Sequence, residues 1–181
     1  MVYKFHIVSD EVENFRRVIE IDADDTFLNL RNTILDSVGY SKDQMDSFFI
    51  CDEEWNKEKE VTLADMGSDS DEDIWLMDET KLSDLIEDEG QKLLFVFDYL
   101  TERSFFMEMK ELIPGKDMKE PLCTLKKGNA AAQTIDFDEF EAKQTTTSAG
   151  LDLDDDLYGT DSYNDDELDA EGFNDFDFDE K

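Results

Sequence analysis

From 91 to 112 the chain carries two strand-like runs joined by a short polar break. Leu93, Leu94, Phe95, Val96 and Phe97 form an unbroken apolar run, the pattern of a strand buried on both faces. Phe105, Met107 and Met109 then alternate with Phe106, Glu108 and Lys110, as in a strand with one buried face. The polar residues 101–103 fit a hairpin loop, although no Asn-Gly or Asp-Gly pair fixes the turn type. This pair predicts the centre of a β-sheet, around which the other segments must be placed.

Upstream, Tyr3, Phe5 and Ile7 alternate with Lys4 and His6, which predicts a strand over 2–8. A polar turn at 9–14 leads into a second alternating run over 15–21. Thr26 is a suitable N-cap, with Asp24 and Asp25 where the positive end of a helix dipole favours acids. Phe27, Leu30, Ile34 and Val38 recur at helical spacing, and Gly39 is placed to end the helix. Residues 47–51 predict a short strand. Strand, strand, helix, strand is the order of a β-grasp-like α+β core, a mixed sheet packed on one main helix.

Residues 52–90 are less regular. An acidic segment surrounds Trp55, and 61–66 and 80–85 each predict a single capped helical turn. Residues 74–77, with Trp75, fit a short strand, and 67–73 an exposed loop. Pro114 and Gly115 break the chain after the hairpin. From about 141 the composition shifts to Thr, Ser, Gly and Asp with no periodic apolar face, which predicts a disordered acidic tail. The expected organisation is one domain over 1–140 and a tail over 141–181.

Charge narrows the function classes. The 181 residues hold 50 acids against 17 Lys and Arg, a formal net charge of −33. Residues 141–181 contribute 15 acids and two bases, so the preceding 140 are strongly acidic in their own right. Such a field repels nucleic acid and anionic membranes and favours basic partners. No apolar run approaches the roughly 18 residues of a membrane span. Cys51 and Cys123 are far apart in sequence and read as free thiols in a reducing compartment, so a cytoplasmic setting is expected.

Specific chemistry finds little support. One histidine, His6, and two distant cysteines cannot assemble a zinc site. The acidic runs starting at Asp69 and Asp154 fail the calcium-loop pattern at the glycine or at the residues around it. No nucleophile elbow, phosphate loop or dinucleotide fingerprint occurs. No metal and no cofactor are expected. The adjacent pair Arg16 and Arg17 points to opposite faces of a strand, and salt links to nearby acids are its expected role.

Several motifs together resemble the plasmid pRiA4b ORF-3-like family. They are Tyr3 to Ile7, Phe15 to Val18, Asp25 to Leu30, Val38 to Tyr40, Met45 to Ile50, Leu82 to Leu85 and Leu94 to Asp98, in the family's order and spacing. The resemblance covers roughly 2–128 and implies a compact α+β domain with a mixed sheet. Some members are described as transposon passengers and labelled resolvases. Two loops depart from the family pattern. The turn after the buried strand keeps Asp98 but lacks the usual glycines and tryptophan. Pro121 and Cys123 survive with Gly128, without the proline- and glycine-rich piece that usually lies beyond the cysteine. No arginine cluster suits serine-recombinase chemistry.

The expected function is a non-enzymatic module that binds a basic protein electrostatically. Trp55, Trp75 and the tail phenylalanines Phe173, Phe176 and Phe178 are its candidate anchors. The alternative is an enzyme or nucleic-acid-related factor of mobile elements, with Asp98, Arg103 and Cys123 at a site near the 98–104 turn. A shared concave pocket for Asp98 and Cys123 would favour that alternative. Oligomeric state is not legible.

Overall fold

The computed structural model describes residues 1–65, 67 and 74–135, all within one unit, Met1–Ile135. The tail phenylalanines and the expected boundary near 141 lie outside the described residues. Among the described residues eight strands and one α-helix occur in the order β1 (Val2–Ser9), β2 (Arg16–Asp22), α1 (Phe27–Val38), β3 (Ser47–Cys51), β4 (Lys57–Thr62), β5 (Trp75–Leu76), β6 (Lys92–Asp98), β7 (Arg103–Ile113) and β8 (Leu122–Lys127). They form a single sheet, β5-β4-β3-β6-β7-β1-β2-β8. All pairs are antiparallel except the short β4–β5 pair. The mixed sheet with one main helix is the α+β architecture expected. The β6–β7 hairpin occupies its centre, so β1 meets β7 antiparallel.

The core lies on the helix side of the sheet. Tyr3, Phe5 and Ile7 of β1, Phe95 and Phe97 of β6, and Phe105, Met107 and Met109 of β7 meet Phe27, Leu30 and Ile34 of α1 there. Aromatic rings link these elements: Phe15 stacks on Phe105 at 4.9 Å, and Phe97 lies 4.6 Å from Phe105. Each such pair is worth about 0.5–1.5 kcal/mol beyond its buried area. The helix begins where the Thr26 hydroxyl accepts from the Asn29 N–H at 3.3 Å. It ends at Gly39, whose φ of 73° is the left-handed conformation that closes helices.

Three expectations change. The expected capped turn over 61–66 is not seen in its described part, 61–65, because Val61 and Thr62 complete β4. The sequence hid this strand because Lys57, Glu58, Lys59 and Glu60 are exposed on both faces and show no alternation. β8 escaped for the same reason, since an edge strand need not have a buried side. Among the described residues Arg17 has no acidic partner: it is 4% exposed and bonded to backbone carbonyls. The turn at 82–84 forms as expected, as a single 3₁₀ turn.

Candidate functional site

Of the residues expected near the 98–104 turn, the structure brings Asp98 and Arg103 together and leaves Cys123 apart. Asp98 ends β6 and Cys123 lies on β8, with β7, β1 and β2 between them. Four strand spacings of about 4.8 Å put them on the order of 19 Å apart. Asp98 organises the hairpin turn, accepting from the Leu100 N–H at 3.0 Å and the Thr101 hydroxyl at 2.7 Å. Glu102 completes that turn at φ 52°.

Arg103 lies 3.8 Å from Asp98 but is committed elsewhere. Its guanidinium donates to both carboxylate oxygens of Glu11, at 2.7 and 2.9 Å. It also donates to the carbonyls of Ala132 and Gln133 and lies over the Phe97 ring. Tyr40 donates to the Ala131 carbonyl, and burial pushes its hydroxyl pKa up to about 12. Gln133 makes a two-way link with the Ser41 backbone. Arg103 thus fastens the segment 131–133 to the domain and has no free donor pair for a phosphate.

Cys123 is half-buried opposite Ile19, its thiol donating to the Leu125 carbonyl. Trp75 is half-buried on β5 and packs against the core. Trp55 sits in the β3–β4 turn at φ 69°, on the sheet face opposite the helix. Its ring meets the Phe106 edge at 5.0 Å, and the Lys92 ammonium lies 5.2 Å above it. The turn is built by Asp52, which accepts from the backbones of Glu54 and Asn56 and from the Asn56 side chain. The Asn56 bonds, with that of Glu54, hold the Asp52 carboxyl below its usual range.

Beside this turn lies an open groove of about 500 Å³. Asp52, Glu53 and Glu58 line it from the segment around the β3–β4 turn, and Asp84, Glu87, Asp88 and Glu89 from the segment that precedes β6. Lys59 and Lys92 are the cations of the lining, and Cys51 contributes a thiol whose pKa burial raises. Lys92 is occupied, donating to the Glu53 carbonyl at 2.6 Å while it covers Trp55. Sequence reasoning missed the groove because its two lining segments lie some thirty residues apart and are brought together by the β3–β6 pairing. Trp55 and the acids around it were the one visible sign.

Among the described residues, no group of three or more His, Cys, Asp or Glu side chains is placed to hold a metal ion. No helix among them is long and apolar enough to cross a membrane.

No curated protein matches the chain. Among solved structures, that of a protein of unknown function from Methanosarcina mazei Go1 is similar, with a TM-score of 0.59 at 15% identity. The match covers 85% of this chain and 84% of that one, and it supports the fold. The plasmid pRiA4b ORF-3-like protein family matches residues 2–175. The fold gives a motif glycine its reason: a Cβ on Gly128 would stand 2.6 Å from the Asn14 carbonyl oxygen. With that match spanning nearly the whole sequence, the chain belongs to the plasmid pRiA4b ORF-3-like family.

Proposed function

We propose that the domain is a non-enzymatic cytoplasmic module that takes a basic segment of a partner protein into the groove beside Trp55. The observation that carries this reading is the lining, seven carboxylates against two lysines. One of those lysines is already held by Trp55 and the Glu53 carbonyl. The net charge of −33 has the same sign, so the field steers cations towards the groove. Lysine or arginine side chains would then pair with carboxylates from both lining segments, and the half-buried Trp55 would offer an aromatic surface at the rim. The separation of Asp98 from Cys123 leaves the enzyme alternative without a shared site.

The test uses a fluorescent lysine-rich peptide and the full chain. Glu87→Gln with Asp88→Asn and Glu89→Gln should weaken binding about tenfold, as expected for lost close charge pairs. Neutralising Asp10, Glu13 and Asp43, which lie outside the groove, should change it far less. Equal losses in the two variants would assign binding to the overall field and remove the groove from the reading. No binding even at low salt would remove the reading altogether.

A further inference from the structure

β8 is the last strand at its end of the sheet and pairs with β2 alone among the described residues. Among these residues its outer edge therefore presents backbone N–H and C=O groups without a strand partner, a template for one more strand. The edge is held in shape. Arg17 donates to the Lys127 carbonyl at 2.8 Å, and the Thr124 hydroxyl donates to the Val18 carbonyl at 3.4 Å. A preformed edge loses little further freedom when a strand adds to it.

The side chains say what kind of strand fits. Leu122 is 56% exposed and Leu125 42%. Leu125 stands opposite Val18 and Lys127 opposite Arg16, on the sheet face away from the helix. Lys126 stands opposite Arg17 on the other face. The strand contains no acid. Among the described residues no carboxylate pairs with Arg16, Lys126 or Lys127. This is a local cationic edge on a chain of 50 acids.

Edge lysines ordinarily guard a sheet against indiscriminate pairing. They do so by penalising apolar and basic strands, which makes the same edge selective for an acidic one. We propose that β8 accepts an extended acidic segment of a partner protein as a ninth strand. Its carboxylates lie opposite Lys126 and Lys127, and its apolar side chains rest on Leu122 and Leu125. At physiological salt the field of the distant acids is screened within about 8 Å, so these close pairs decide affinity. A second copy of the chain fits less well. Antiparallel pairing of β8 with itself would set both lysines against Leu122 and Cys123, with no carboxylate in either strand.

The test is anisotropy of a short labelled peptide, Glu-Glu-Val-Thr-Thr-Val, titrated with the full chain; paired antiparallel it sets its two acids opposite Lys127 and Lys126 and its valines opposite Leu125 and Leu122. Binding is expected, with loss of about tenfold or more on Lys126→Glu with Lys127→Glu. A peptide with lysine in place of Glu should not bind. The acidic peptide carrying N-methyl groups at its central residues should bind at least tenfold more weakly, because the ladder hydrogen bonds are removed. Slowed amide exchange within 122–127 on adding the acidic peptide would locate the contact. Absence of binding, equal binding of the basic peptide, or indifference to N-methylation would overturn the proposal. Dimers in sedimentation that the charge-reversed variant abolishes would overturn it in favour of self-pairing.

Discussion

Arg17 and Arg31 are both buried, at 4% and 3% exposure, yet their surroundings differ in kind. Arg31, on α1, donates to both oxygens of Asp46 at 2.6 and 2.8 Å and to the carbonyls of Lys42 and Gln44. It clamps the loop after the helix with a full ion pair. Arg17, on β2, meets no carboxylate among the described residues. It donates to the carbonyls of Ser37, Arg16 and Lys127 and covers the Phe15 ring at 4.5 Å. There the partial negative charge at the C-terminal end of α1 stands in for an acid. In so acidic a chain, the contrast teaches that buried cations are placed by which backbone groups need closing and not by how many carboxylates are available. The Arg31 corner is a charge clamp, and the Arg17 corner is a backbone clip that holds β8.

The largest expected effect breaks the clamp. Asp46→Ala strands Arg31 without its counter-ion and should destabilise the domain by about 3–5 kcal/mol in urea unfolding. Adding Arg31→Met should recover much of that loss, since the orphaned charge goes too. If the double variant is no more stable than Asp46→Ala, Arg31 is not held by that pair.

Arg17→Met tests the clip and should cost about 2 kcal/mol, the range of hydrogen bonds to a charged group. Its distinguishing mark is faster amide exchange in β8, with the 40–46 loop unchanged. Exchange rising equally in both places would erase the distinction between the corners.

The glycines sharpen it further. Gly128 follows the Arg17-bound carbonyl at φ 68° with the Asn14 carbonyl in the way, and Gly39 has φ 73° in open space. Gly39→Ala should cost about 1 kcal/mol for backbone conformation alone, and Gly128→Ala about 2 kcal/mol because a clash is added. Equal thermal shifts would mean that the close approach is not felt.

The smallest effect is in pH dependence, and its sign differs between two aspartates. Burial raises the Asp46 carboxyl against the opposing pull of Arg31. Its contribution is therefore fully present below the ordinary carboxyl range and is lost as pH rises through the folded value. Asp22 is also raised by burial, but N–H groups of Asp24 and Met118 and the chain's amino terminus lower it overall. Its contribution is present above the ordinary carboxyl range and is lost as pH falls through the folded value. The stability difference between the native chain and Asp46→Asn should thus shrink with rising pH, and that for Asp22→Asn should grow. Parallel slopes in urea midpoints would contradict this assignment.

How much was legible follows from burial. Wherever one face of an element meets the core, the sequence carries the period: β1, the alternation in β7, the run in β6 and the stripe of α1 were readable because water excludes those side chains. β8 and the exposed stretch 57–60 of β4 were not, because a strand segment with little buried surface is held by backbone hydrogen bonds that leave no mark on side-chain order.

The amino-acid order alone determined the elements with a buried face, the main helix, the central hairpin and the acidic character, since each rests on local period or on composition. The tertiary structure decided which strands are neighbours, and with that everything about sites. It separated Asp98 from Cys123, turned Arg103 and Arg17 into backbone fasteners, and assembled the groove from 51–59 and 84–92. Register and strand order bring together side chains many residues apart, and no local pattern encodes that proximity.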